Sequence, residues 1–258
     1  MKLAVLGWPV RHSLSPRMQT AALRAAGLSG WTYQAIEVAP EQFADAVQVL
    51  REPGWRGVNV TVPHKEAAAR LCDQLVGDAA AIGAVNTIVV EGGRLLGHNT
   101  DVAAIRDTLV DVSGRTCAVL GAGGSARAAV HALRTRGAGE IRVLSRRGVL
   151  LPGADRACSW SADALAGCQI LVGCVPPEVE PPPLERTDPH ALVLDLVYYR
   201  PSGLALAAAA RGLHVDDGLW VLIRQGARSF ELWTGRAAPI EAMREAVEDA
   251  KDHQLESP

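Results

Sequence analysis

Thr116-Cys117-Ala118-Val119-Leu120-Gly121-Ala122-Gly123-Gly124-Ser125-Ala126-Arg127 is the stretch that decides the fold. Its apolar run from Cys117 to Leu120 reads as a buried strand, and residues 126–136 read as a helix closed by Gly137. Between them, Gly121 to Ala126 fits G-x-G-x-x-A. The first glycine permits the tight turn and the second lets backbone approach a pyrophosphate; a small residue in third place lets helix pack on strand. Gly121, Ala122, Gly123, Gly124 and Ser125 would then present helix N-terminal N–H groups to phosphate. A merely tight turn uses the same glycines, so the strand–turn–helix context carries the dinucleotide reading.

The next strand bears on which dinucleotide. An NAD site expects an acid there, about 20 residues after the motif. Here Ser145-Arg146-Arg147 stands after the strand expected over Ile141 to Leu144, with no acid. Arg146 suits a 2′-phosphate, which points to NADP. The bland alternative is chance, because the chain has 23 Arg.

Outward from this stretch, strand-like and helix-like runs alternate. Strands are expected over 3–6, 32–38, 57–62, 85–90, 94–97, 117–120, 141–144, 169–172 and 192–196. Helices are expected over 15–26, 40–50, 65–75, 101–110, 126–136, 204–210, 219–233 and 239–253. Ser15 is the expected N-cap of the first, with Pro16 at its first position. This alternation predicts an α/β protein with mainly parallel sheets wrapped by helices. The seam falls at the helix near residues 101–113, and a second crossing near Gly235 could return the last helix to the first domain.

Composition excludes several classes. The chain has 258 residues, 48% hydrophobic and 21% charged, too much apolar material for disorder. A net charge of −2 offers no bulk attraction to nucleic acid or an anionic membrane. No uncharged run reaches the ~18 residues of a membrane span. Five cysteines without C-x-x-C spacing read as reduced, mostly buried thiols in a cytoplasmic protein, with no metal site. Only three lysines occur, Lys2, Lys65 and Lys251, and Lys65 alone is far from a terminus. A lysine retained in so arginine-rich a chain draws attention, because ammonium and guanidinium differ chemically.

The first half carries a dense polar set. Ser13 and Ser15 put two hydroxyls beside a helix N-terminus, which suits a small carboxylate. Capping alone would explain Ser15 but not Ser13. Asn59, Thr61 and Lys65 lie at the carboxyl end of a strand, where ligands of open α/β sheets collect. Asn86-Thr87 and Asn99-Thr100-Asp101 add to them, with helix capping as the equal alternative for Asp101. Two amides, several hydroxyls, one Lys and one Asp suit a small polyhydroxylated acid.

These motifs resemble the shikimate dehydrogenase family over nearly the whole chain. The resemblance rests on residues 7–16, 59–66, 83–87, 99–101 and 121–127, on Asp195-Leu196-Val197-Tyr198, and on Asp217-Gly218-Leu219 with Gln225. It implies a two-domain α/β fold: a substrate domain, 1–101, to which a helix at 236–258 returns, and a Rossmann-like, doubly wound NADP domain, 102–235. It further implies reversible NADPH-dependent reduction of 3-dehydroshikimate to shikimate, in aromatic amino acid biosynthesis. By the same resemblance Lys65 and Asp101 are the catalytic pair, and Ser13 and Ser15 hold the substrate carboxylate with Tyr198. Thr61, Asn86 and Gln225 hold hydroxyls, while Leu196 and Gly218 line the nicotinamide. The partner is a small molecule rather than nucleic acid or membrane, and a homodimer stays open. A related enzyme for quinate or another ring acid is the alternative, as is a binding protein that has lost hydride transfer.

The chain departs from the family pattern in its cofactor half. Ser145-Arg146-Arg147 replaces Asn-Arg-Thr and runs into Gly148-Val149-Leu150-Leu151-Pro152-Gly153, too broken for the usual helix. Gly173-Cys174-Val175 replaces Asn-Ala-Thr, and Gly203 stands where Thr is common.

Overall fold

The computed structural model describes residues 1–109 and 111–255, with side chains to Glu248. The expected helix end at Val110 and the chain end at 256–258 lie outside the described residues. The chain divides into two compact units, Met1–Thr100 with Leu222–Pro258, and Asp101–Val221.

In chain order the first unit starts with β1 (Lys2–Gly7), α1 (Ser15–Ala25), β2 (Thr32–Glu37), α2 (Phe43–Gln48) and β3 (Trp55–Val60). It continues through α3 (Lys65–Leu71), β4 (Gln74–Leu75), α4 (Asp78–Ile82), β5 (Thr87–Glu91), β6 (Arg94–His98) and into α5 (Thr100–Thr108). The second unit holds β7 (Thr116–Leu120), α6 (Gly124–Thr135), β8 (Glu140–Leu144), β9 (Arg156–Cys158), β10 (Ile170–Gly173), β11 (Leu192–Asp195), α7 (Gly203–Ala210) and β12 (His214–Asp217). Two helices follow, α8 (Leu219–Thr234) and α9 (Ile240–Leu255). The return to the first unit begins at Leu222 within α8, earlier than the expected Arg236.

The first unit's sheet has the order β2-β1-β3-β5-β6-β4. β1 pairs in parallel with β2 and β3, and β4 with β6, whereas β5 runs antiparallel to both β3 and β6. The reversal has a consequence for position. Because Thr87 is in register with Asn59 and with His98, the start of β5 lies at the sheet edge where β3 and β6 end. Below that edge, Leu6, Phe43, Val47, Leu50, Val58, Val60, Ile88 and Leu95 form one buried cluster. At ~25 cal/mol per Å2, each such side chain contributes roughly 1.5–3 kcal/mol.

The second unit's sheet is parallel throughout, in the order β12-β11-β10-β7-β8-β9. Counted from β7, this is the 3-2-1-4-5-6 arrangement of a Rossmann sheet. Ala118, Leu120, Leu144, Leu171, Val193 and Leu204 are buried together on one side.

Five elements differ from expectation. The helix expected over 65–75 stops at Leu71, and β4 follows. Asp73 stops it: its backbone N–H donates to Leu95 O at 2.9 Å and its carboxylate accepts from Leu95 N–H at 2.7 Å. Arg51 donates to both Asp73 carboxylate oxygens and holds that carboxyl down at about 2. The other three, α4, β9 and β12, are short, and β9 and β12 are largely exposed, so they lack an apolar period. The break expected after Arg147 is observed, since no helix lies between β8 and β9 and Gly148 N–H closes a turn onto Ser145 O at 3.1 Å.

Among the described residues, no helix is long and apolar enough to cross a membrane. Cys117 and Cys168 are buried and the other three cysteines half-buried. Burial pushes the Cys72 and Cys117 thiols to about 12 and Cys168 to about 11, which makes them inert thiols.

Candidate functional site

The edge of the first sheet gathers the polar set. Ser13 and Ser15 follow β1, Thr61 and Lys65 follow β3, Asn86 precedes β5, and Thr100 follows β6; Asp101, the next residue, is the first of the second unit. Two cis peptides, Trp8-Pro9 and Val62-Pro63, lie in the adjoining loops, and Trp8 N–H donates to Val62 O at 2.9 Å. Thr61 packs against Gly7, where an added Cβ would come within 2.4 Å of Thr61 Cγ2.

Local structure reverses the expected roles of the two serines. Ser15 is inside α1, and Leu14 is the N-cap with no side-chain cap bond. Ser13 makes the local contact instead, its Oγ accepting from Ser15 N–H at 3.3 Å. Capping therefore accounts for Ser13 and leaves the buried Ser15 hydroxyl unexplained by it. Asp101 likewise falls within the first turn of α5 rather than before it. Lys65 is the first residue of α3 and half-buried, and its carbonyl accepts from Val85 N–H at 2.9 Å. That bond ties the start of α3 to the segment carrying Asn86.

Beside Lys65, His64 is 2% exposed and stacks on Phe43 with ring centroids 4.2 Å apart. Its Nε2 lies 2.7 Å from Val38 O, which can only accept, so Nε2 carries the proton. Burial lowers its pKa, partly offset by that bond. His64 is a buried packing residue.

Asn86 and Gln225 are brought together. Asn86 is 2% exposed and its Nδ2 donates to Gln225 Oε1 at 3.3 Å and to Thr100 Oγ1 at 2.9 Å. Thr100 N–H donates to Asn86 Oδ1 at 2.7 Å. Gln225 Nε2 donates to Leu222 O at 2.8 Å. Asn59 has a different part from the ligand-facing one its strand position suggested. Its Oδ1 accepts from Tyr33 OH at 2.7 Å, and its Nδ2 donates to Asn86 O, Thr87 Oγ1 and Ser229 Oγ at 3.0–3.2 Å. Sequence reasoning missed Tyr33 and Ser229. The available signal was a polar residue on the face of α8 that buries Phe230 and Trp233.

In the second unit the glycine turn has the geometry its motif requires. Gly121 has φ +123°, and an added Cβ would lie 2.8 Å from Cys174 O, so only glycine fits. Gly123 is different: a Cβ there meets nothing within 4 Å, leaving open space over the turn. Gly123 is also the N-cap of α6, which has no side-chain cap and no acid in its first turn. Open space, an uncapped helix N-terminus and absent acid fit a dinucleotide pyrophosphate. Ala126, the third motif position, is fully buried. Gly121 N–H donates to Leu144 O at 2.8 Å, which places the end of β8, and the exposed Arg146 beyond it, beside the turn.

Leu196 and Gly218 also meet, since a Cβ on Gly218 would lie 2.5 Å from Leu196 O. Tyr198 is half-buried and packs edge-on to Tyr199, centroids 5.7 Å apart. Gly173 has a steric reason for departing from the family's Asn. A Cβ there would lie 2.7 Å from Leu204 Cδ2 and 2.8 Å from Asp195 Oδ1. Asp195 is buried, which pushes its pKa up, while hydrogen bonds from the Ser202 hydroxyl and Val197 N–H oppose the rise.

Fold and glycine turn together define the class, an α/β protein with a Rossmann-type unit and a second, mixed α/β unit. Comparison with known proteins narrows it. The family profile described as shikimate dehydrogenase substrate binding domain matches residues 5–88, and that described as shikimate 5′-dehydrogenase C-terminal domain matches residues 218–248. The shikimate dehydrogenase (NADP(+)) of Symbiobacterium thermophilum is 38% identical over 98% of this chain and 95% of the relative. The shikimate 5-dehydrogenase of Thermus thermophilus in complex with shikimate superposes with a TM-score of 0.84 at 35% identity, covering 98% of this chain and 99% of that one. The same enzyme with NADP(H) and shikimate gives 0.82 at 36% identity, covering 97% and 99%. The chain belongs to the shikimate dehydrogenase family.

Proposed function

We propose that this chain is an NADP-dependent shikimate dehydrogenase of the cytoplasm, its first unit binding the ring acid and its second the dinucleotide. The observation that supports the reading is that Ser13, Ser15, Thr61, Lys65 and Asn86 lie in the segments that leave or enter one end of the first unit's sheet. In this reading Ser13 and Ser15 bind the substrate carboxylate beside the N-terminus of α1. Thr61, Asn86 and Gln225 hold ring hydroxyls. Residues 121–125 and Arg146 hold the pyrophosphate and the 2′-phosphate.

Bound NADPH supplies the hydride for reduction of the 3-keto group. The developing oxyanion then needs positive charge and a proton. Lys65 provides both, as an ammonium that stabilises the oxygen and donates to it. By the family resemblance Asp101 is the second member of the catalytic pair. Arginine could stabilise charge there, but its proton is held with a pKa above about 12. In shikimate oxidation the same lysine, deprotonated, receives the hydroxyl proton.

The test is shikimate oxidation with NADP by the purified protein, beside Lys65→Ala. The expected result is a large loss of kcat with a small change in KM, because the lysine acts in the transition state. Wild-type turnover no greater than that of the variant overturns the assignment.

A further inference from the structure

Gly7 and Thr61 stand at the ends of neighbouring strands in the first unit's sheet. Leu6 is paired with Val60, and the pairing runs on past β3: Thr61 N–H donates to Leu6 O and Trp8 N–H to Val62 O, each at 2.9 Å. Gly7 therefore lies in register beside Thr61, where the side chains of a parallel pair share a face. The Thr61 methyl fills the place that a side chain on residue 7 would take, because a Cβ built on Gly7 would overlap Thr61 Cγ2. From this contact we infer that Gly7 is a positioning residue, a seat for the Thr61 methyl that fixes the direction of the Thr61 hydroxyl and so sets how tightly the ring acid is held. The inference rests on the reading of Thr61 as a substrate contact.

The seat is selective. Its far wall is apolar, since the same Cβ would lie 3.2 Å from Val10 Cβ and 3.3 Å from Val10 Cγ2, and Val10 is 1% exposed. A methyl suits such a hollow, whereas a hydroxyl turned into it would be pressed against apolar atoms at a cost. Gly7 is not in the left-handed region, so space rather than backbone conformation calls for glycine. The Thr61 hydroxyl itself has no hydrogen-bond partner within the protein among the described residues, and Thr61 is half-buried. It is left to meet a ligand, unlike the Asn59 amide, which is consumed within the fold.

Threonine carries a methyl, a hydroxyl and a hydrogen on its Cβ, in three staggered positions. Chirality fixes their order, so with the methyl over Gly7 the hydroxyl has a single position. An alanine methyl at residue 7 closes the seat to methyl and hydroxyl alike, and only the hydrogen can face it. That takes one turn of about 120°, which carries the Thr61 methyl to where its hydroxyl stood and the hydroxyl away to the third position.

A pair of substitutions tests this. Gly7→Ala should raise the KM for shikimate about tenfold, the scale of one lost hydrogen bond, with kcat within about threefold and the KM for NADP within about twofold. Thr61→Ser, its hydroxyl free among three wells, should raise the KM for shikimate about threefold. In Gly7→Ala/Thr61→Ser the alanine closes one of those wells, and the KM should fall to about half that of Thr61→Ser. The same change at residue 7 thus harms the threonine enzyme and helps the serine one. Equal harm in both backgrounds would overturn the seat, by making Gly7 a matter of packing alone. The comparison decides even where Gly7→Ala alone does not fold, because the double variant relieves the overlap: a KM above that of Thr61→Ser overturns the seat. Ligand-free protein with 13C-labelled threonine adds a readout independent of activity, the χ1 of Thr61 from three-bond couplings to its methyl, whose signal is assigned by its loss in Thr61→Ser. Wild type should show one rotamer and Gly7→Ala another. An unchanged rotamer in Gly7→Ala would overturn the seat. A changed rotamer with unchanged KM in an active enzyme would overturn its part in binding. Absence of wild-type activity on shikimate alongside the rotamer change would overturn the substrate reading and leave the seat in place.

Discussion

Arg146 offers a sharp test of cofactor choice. It is exposed, just past the end of β8, and that end is bonded to the glycine turn through Leu144 O and Gly121 N–H. The missing helix after β8 leaves Ser145–Gly148 as a bare turn, so the side chain's charge is its main contribution there. In water, unit charges about 4 Å apart interact by about 1 kcal/mol. A 2′-phosphate with a charge of about −1.5 to −2 raises that to about 2 kcal/mol, roughly a thirtyfold change in affinity. Arg147 beside it can recover part, which sets the low end near tenfold. Arg146→Ala should therefore raise the KM for NADPH about ten- to thirtyfold and leave that for NADH within twofold. Because the contact is solvent-exposed, the difference should shrink at about 1 M salt, where the Debye length is about 3 Å. The measurement is steady-state kinetics with both cofactors at low and high salt. Equal losses for NADPH and NADH would refute the 2′-phosphate role.

The two glycines of the turn should separate stability from binding. Gly123→Ala meets open space, so its melting temperature should stay near wild type while NADPH affinity falls, as thermal unfolding and calorimetry would show; Gly121→Ala, at φ +123° against Cys174 O, should lose stability too. A second expectation concerns pH. Burial lowers the pKa of His64 below its ordinary 6.5, so the unfolded chain binds more protons as pH falls through that value, and stability should drop on acidification below about 6.5. His98 adds to the same trend, its pKa also lowered by burial. Urea unfolding between about pH 5 and 8 should show a slope that flattens in His64→Phe, and stability rising on acidification would contradict the assignment. Lys65→Arg should keep the positive charge and still lose most of kcat, with substrate KM little changed; near wild-type turnover would exclude proton donation by Lys65.

The second unit's core strands were legible because β7, β10 and β11 are mostly apolar and buried and β8 alternates buried Ile141 and Val143 with half-buried Glu140 and Arg142, and such runs announce themselves in sequence. β9 and β12 were not, being short, polar edge strands held by pairing to a neighbour. In the first unit the polar motifs share one end of the sheet, yet they could not divide contacts with ligand from contacts within the protein. Asn59 and Thr61 have the same spacing logic, but a buried web consumes the Asn59 amide. Ser229 carried no local mark at all, since its partners Asn59, Thr87 and Thr100 are far away in sequence and only the packing of α8 unites them. Capping rules misassigned Ser13 and Ser15 because helix ends shift by a residue or two, and a one-residue shift exchanges the two roles.

A ring acid on the first unit and NADP on the second can be checked together, by initial rates of the purified protein with shikimate or quinate against NADP or NAD. The largest kcat/KM is expected for shikimate with NADP, with a loss of that advantage over NAD in Arg146→Ala. A larger kcat/KM for quinate would contradict shikimate as the substrate, equal use of both cofactors by wild type would contradict the NADP assignment, and no turnover in any of the four combinations would contradict both.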